Sequence, residues 1–340
     1  MTIRFSCLLL VLLSLAGCAG DSADTAFEQY LQRLGRTLDT AVNPPTADLT
    51  LPRLPRPGQL RLPVVNDKLG TLDFLELRGC ALQTTIGKAN SSLGRLARDS
   101  QKLLLALEFL RLAPACVAFL EAEDETELAT TLTEALVEKR AQLPALIFNA
   151  TLGSEEFAAF WRPGKLQPAY PGNTSSAVIT ALEEISAATR RWLAADYQAD
   201  NMAFELQLSA IATGDGGQLW KALAHQGQWL TQADAAVQQS LQRGPLCPPG
   251  RRPAAAEILP NVVEKFFIRG IQPRAADLGR RYHQLLPPVS QLEHSLASAL
   301  PQPYRGWRQQ REQALAALSQ HPREHVSQLQ QLLSSCERNP

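Results

Sequence analysis

The chain has 340 residues, with 33 Lys and Arg balanced by 33 Asp and Glu. At 45% hydrophobic and 19% charged it has a globular composition, which excludes wholesale disorder or a collagen-like repeat, and its net charge of zero excludes a general nucleic-acid binder. No apolar run reaches the roughly 18 residues a membrane-spanning helix needs, and no motif names a reaction.

The chain opens with a leader. Arg4 precedes an apolar stretch from Phe5 to Leu15, long enough for a signal-peptide core and too short to cross a bilayer. It ends in Leu15-Ala16-Gly17-Cys18, which resembles the bacterial lipoprotein box. The resemblance implies removal of residues 1–17 and acylation of Cys18 on its sulfur and its new amine. Two acyl chains already anchor a protein stably, so a triacylated Cys18 holds the body on a membrane. Ala19 stands where enteric bacteria place Asp to retain a lipoprotein in the inner membrane. That analogy implies the inner leaflet of the outer membrane, with the body in the periplasm. The covalent lipid is the one added group expected, and no other cofactor.

Residues 18–42 are expected to hold the anchor and a first helix, capped by Ser22, with Phe27, Tyr30, Leu31, Leu34 and Leu38 on one stripe. Residues 43–66 follow Asn43-Pro44-Pro45 with repeated prolines, a pattern for an extended strap across the body or a semi-rigid spacer. Its PRLPRP core resembles a ligand of proline-recognition domains.

Residues 67–340 read as one helical body. Leu69, Leu72, Leu75, Cys80 and Leu82 follow helical spacing, and Asp99 caps a long segment through Leu120, bent at Pro114. Asp124 and Glu127 have capping-box spacing for a helix to Gln142, Pro144 starts a short one, and Ser154 starts another ending near Trp161. The acids of 121–127, EAEDETE, suit a helix N-terminus and lack the Gly of a calcium loop. Residues 174–213 are expected to form a single helix of about 60 Å at 1.5 Å per residue, ended by Gly214-Asp215-Gly216-Gly217. Another runs to Arg243, the loop GPLCPPGRRP follows, and shorter helices start near Pro260, Pro273, Pro288, Pro303 and Pro322. Together these predict an all-α antiparallel bundle, or bundle pair, of about 10–12 helices.

Charge is uneven. Basic against acidic residues number 10 to 9 over 18–99, 9 to 17 over 100–242, and 13 to 7 over 243–340. Either the acidic middle faces the basic end within one body, or the basic end meets an anionic envelope component such as phospholipid headgroups.

Candidate chemistry is sparse. In HPREH, His321, Glu324 and His325 lie within one helical turn and could share a face, a weak metal or metal-dependent hydrolase candidate. The zinc-protease motif needs Glu directly after the first His, which is absent. His-x-x-Glu loosely resembles the motif of the helical imelysins but lacks their preceding Gly, having Gln320, and sits at the other end of the chain. No Gly-x-Ser-x-Gly occurs, and no catalytic residue is assigned.

Four cysteines remain in the body, Cys80, Cys116, Cys247 and Cys336. An oxidising compartment favours disulfides, and four cysteines allow three connectivities, with buried free thiols as the rival. A hairpin with its tip near Arg98 sets Cys80 and Cys116 level, which leaves Cys247 for Cys336.

Two stretches carry a wider resemblance. One is Asn90-Ser91-Ser92-Leu93-Gly94 followed by Asp99-Ser100-Gln101 and Pro114-Ala115-Cys116. The other is FFIRGIQP, 266–273, followed by QLLPPVSQLE, 284–293. They resemble a family of uncharacterised Gram-negative lipoproteins whose domain has no assigned function. The resemblance spans nearly the whole mature chain and implies an envelope address and one long helical unit. The resulting expectation is a non-enzymatic binding or structural module with its lipid on a membrane and its protein partner open. The alternative is a metal-binding protein or metal-dependent hydrolase built on HPREH.

Overall fold

A computed structural model describes residues 23–46, 49–65, 77–167, 169–172 and 174–337. Cys18, the leader, and Leu69, Leu72 and Leu75 lie outside the described residues. Within them the fold is all-α, with no strand. The helices are α1 (Ala23–Leu38), α2 (Pro57–Leu60), α3 (Leu82–Asn90), α4 (Ser92–Arg95), α5 (Asp99–Ala122), α6 (Thr126–Ala150) and α7 (Glu155–Phe160). They continue as α8 (Ala177–Leu193), α9 (Asn201–Ala212), α10 (Gly216–Gln242), α11 (Ala254–Val262), α12 (Gln272–Ser295) and α13 (Gln302–Glu337). A π-helical turn, Val263–Ile268, extends α11.

The larger core forms around α5 and α6, an antiparallel hairpin closed by Glu123, Asp124 and Glu125. Its centre is Leu103, Leu107, Leu110, Leu132 and Ile147, all with no exposed surface. By length and apolarity α5 could cross a bilayer. Here it is packed between α3 and α6. A second core joins α1 to the later halves of α10 and α13 through Phe27, Leu34, Leu230, Val237 and Leu329. Because α10 and α13 run through both cores, the two make one body. These two helices lie parallel, with Asp234 against His325 and Gln238 against Gln328.

Several boundaries differ from the sequence expectation, each for a local reason. The first helix stops at Leu38 and not at Val42, because Asp39 turns to φ 51° and the Thr40 N–H closes onto the Gly35 carbonyl at 2.9 Å. Arg243, just past α10, then donates to the Leu38 and Asp39 carbonyls and satisfies that helix end. The single helix expected over 174–213 is two. Ala195 takes φ 68° and reverses the chain, and the Asp200 side chain accepts from the Ala203 N–H at 2.9 Å to start α9.

Four of the prolines read as helix starts were misleading: Pro144, Pro260, Pro288 and Pro322 lie inside continuous helices, as Pro114 was expected to, whereas Pro273 and Pro303 stand at helix starts. An interior proline costs about 3 kcal/mol. Burial of several large side chains on the same helix, at about 1.5–3 kcal/mol each, offsets it. At Ser154 the reading holds: its hydroxyl accepts from the Phe157 N–H at 3.1 Å.

The proline-rich segment lies on the body. Trp307 Nε1 donates to the Pro52 carbonyl at 3.2 Å, and Leu60 is buried. Asn149 grips Leu62 twice, accepting from its N–H at 2.8 Å and donating to its carbonyl at 2.9 Å, as a neighbouring strand would. The extended segment is interrupted by one helical turn, α2.

Disulfides join Cys80 to Cys116 and Cys247 to Cys336, with Cα–Cα distances of 5.4 and 4.9 Å. These are the pairs the hairpin register selects. They close separations of 36 and 89 residues, for which loop entropy gives roughly 4 and 4.5 kcal/mol at the upper end.

Candidate functional site

A cleft of about 720 Å³ is bounded by the strap at 58–65, α3, α4, α5 and α6. Its floor is apolar, with Ile86 from α3, Ala106 and Phe109 from α5, and Leu146 from α6, all buried. Its rim is basic. Arg61 pairs with Asp99, the one acid in the lining, while Arg95 and Lys102 meet no acid among the described residues. Lys139 stands over the Phe109 ring at 5.8 Å. A chamber with a greasy floor and cations at its mouth accommodates a ligand that is apolar at one end and anionic at the other.

Three further polar clusters are internal. In the first, Arg311 makes a two-pronged ion pair with Glu293 at 2.7 and 2.8 Å, and Tyr304 donates to the same carboxylate at 2.6 Å. The guanidinium lies between the Trp161 and Trp307 rings, 4.9 and 5.0 Å from their centroids. Burial alone would lower the Arg311 pKa, but the Glu293 hydrogen bonds and charge outweigh it and raise it. Burial first, then the Glu293 charge, pushes the Tyr304 hydroxyl far up.

In the second, Asp215 binds Arg281 through both oxygens and accepts from Tyr170 at 2.8 Å. The GDGG segment thus ends α9, as expected, and also starts α10. Gly217 is required there, since a Cβ would lie 2.5 Å from the Arg162 backbone. Nearby, Arg274 donates Nε to the Tyr170 carbonyl at 3.3 Å, and His225 contacts Asp24 at 2.6 Å. Burial lowers the His225 pKa more than Asp24 raises it.

The third contains part of HPREH, and it corrects that reading. His325 is fully buried, with Nδ1 2.6 Å from Asp234 and Nε2 2.6 Å from the Tyr30 hydroxyl. The tautomer consistent with an ionised Asp234 donates from Nδ1 and accepts from Tyr30. Both ring nitrogens are therefore used in joining α1, α10 and α13. Glu324 is exposed, and His321 faces Gly227 on α10. The three side chains do not converge, and the described residues contain no group of three ligands that could hold a metal. The Asp–His–hydroxyl order is that of a nucleophilic triad, yet Tyr30 is 1% exposed and does not line the cleft over α5.

Sequence reasoning missed the cleft because its walls come from five separate elements. One signal was available: Asn90, Gly94 and Asp99, from the stretch that carries the family resemblance, all line it. Gly94 is sterically fixed, since a Cβ would lie 2.1 Å from the Lys88 carbonyl oxygen.

Fold and cleft define a disulfide-stapled, all-α protein with a basic, apolar-floored chamber. The chain belongs to the family described as protein of unknown function (DUF3080), whose model matches residues 27–340. No curated protein and no solved structure matches it.

Proposed function

We propose that this protein is a bacterial envelope lipoprotein, acylated on Cys18 and held in the inner leaflet of the outer membrane. Its periplasmic body is a non-enzymatic binding module, and the cleft over α5 takes an anionic amphiphile of the envelope. The observation that carries this reading is the cleft itself: Phe109 and Ile86 beneath, Arg95 and Lys102 at the mouth, neither in an ion pair among the described residues. Each methylene buried there would contribute about 0.8 kcal/mol.

Titration with a fluorescent long-chain fatty acid below its micelle concentration tests the reading. Saturable one-to-one binding is expected, weakened about tenfold by Ala89→Trp, which fills the cleft, and by Lys102→Glu, which reverses a rim charge. Absence of saturable binding, or equal binding of a cationic analogue, would refute it. The anchor is tested separately, since Cys18→Ser should abolish incorporation of labelled palmitate.

A further inference from the structure

The tip of the hairpin between α3 and α5 holds two leucines out into solvent, Leu93 at 85% and Leu96 at 86% exposure. Neither lines the cleft. No other large apolar side chain described as exposed in the body exceeds 74%. From Ala81 to Arg98 the chain carries Lys88, Arg95 and Arg98 and no acid. Lys88 and Arg95 have no acidic partner among the described residues, and Arg98 meets Glu156 only at 3.8 Å.

The leucines are displayed by a constrained turn. Ser91 caps α4, its hydroxyl accepting from the Gly94 N–H at 3.0 Å and donating to the Lys88 carbonyl at 2.7 Å. Gly94 leaves no room for a side chain toward the Lys88 carbonyl. Two apolar side chains projecting from a turn flanked by cations suit an interface that is apolar below and anionic at its surface. Leucines meet the acyl boundary while Lys and Arg meet phosphates. An anionic protein surface would satisfy the cations but would leave both leucines in water unless it also offered apolar pockets.

We propose that the 91–98 tip docks on the surface of an anionic phospholipid bilayer, with Leu93 and Leu96 inserted at the headgroup–acyl boundary and Lys88, Arg95 and Arg98 on the headgroups. This goes beyond the ligand of the cleft and stands whether or not the cleft binds a fatty acid.

The test is co-sedimentation of residues 19–340, which keep every described residue and lack the acyl anchor, with lipid vesicles. Binding to phosphatidylcholine vesicles containing phosphatidylglycerol is expected, with little on phosphatidylcholine alone and less at high salt. The double variant Leu93→Ala, Leu96→Ala should lower the partition coefficient about tenfold or more, without unfolding the protein, because both side chains are exposed. Val137→Ala is the control: Val137 is 60% exposed on α6 but lies between Glu134 and Glu138, and its removal should change nothing. No vesicle binding, equal binding to neutral vesicles, or an unaltered partition in the double variant overturns the proposal. Because the fatty-acid titration uses no vesicles, loss of one result leaves the other readable.

Discussion

The basic C-terminal third and the hairpin tip both carry an excess of cations, and they use them in opposite ways. In the C-terminal third many of the cations turn inward or pair locally, although Arg251, Arg252, Arg305 and Arg323 stay exposed. Arg311 is sealed onto Glu293, Arg281 onto Asp215, Arg280 pairs with Asp277, and Arg269 with Glu264. Arg243 caps a helix. At the tip, Lys88 and Arg95 face solvent beside two bare leucines. Net charge per segment therefore misleads. Thirteen cations against seven acids over 243–340 left open an outer anion-binding face or pairing within the body, and much of that charge is used in holding the fold. The three cations of 81–98 are too few to stand out in a count, yet two of them, Lys88 and Arg95, have no acidic partner among the described residues and stand beside exposed leucines.

Charge removal should separate the two regions. The largest effect is expected from Glu293→Gln, which strands the buried Arg311 charge and should cost about 3–5 kcal/mol, read as a fall in the denaturant midpoint. Vesicle binding per folded molecule should be unchanged. His325→Phe comes next. It leaves Asp234 and Tyr30 without their partner and should cost about 1–3 kcal/mol by the same measurement.

Acid should act on the region around α1. The folded-state pKa of His225 lies below its ordinary 6.5, chiefly through burial. Its contribution is therefore complete above pH 6.5 and is lost as pH falls through the folded value. His225→Gln should flatten the fall in stability below pH 6.5, measured by thermal melts across pH. At the other extreme, Arg95→Gln with Arg98→Gln should change stability by less than about 0.5 kcal/mol while weakening vesicle binding severalfold. A tip variant that melts early, or a Glu293→Gln protein of wild-type stability, would dissolve the distinction between the regions.

Much of the fold was legible in the sequence, and its failures have a common cause. The apolar periodicity of α5 and α10 and the Ser154 cap are local signals, and they placed elements correctly. The cysteine pairing followed from hairpin register, which is nearly local. Proline was over-read as a helix boundary because its penalty is local, whereas the burial that overcomes it at Pro144 or Pro322 is tertiary. The break before Asp200 was missed because the apolar stripe was continued through Ala203 and Leu206, which the structure exposes while it buries Phe204 and Leu208, although Asp200 itself is a good cap. His321, Glu324 and His325 share a turn in sequence, but that turn is packed on one side only. His325 faces Asp234 and Tyr30, 91 and 295 residues away, and no spacing rule reaches them. The cleft needed five elements at once and was invisible for the same reason.

Native mass spectrometry of the acyl-free body, secreted into a bacterial periplasm and purified without added lipid, tests the central claim most directly. The account predicts one bound anionic amphiphile per chain, retained by the Leu93→Ala, Leu96→Ala variant and lost from Ala89→Trp. A body that carries no such molecule, or that keeps it when the cleft is filled, would contradict it.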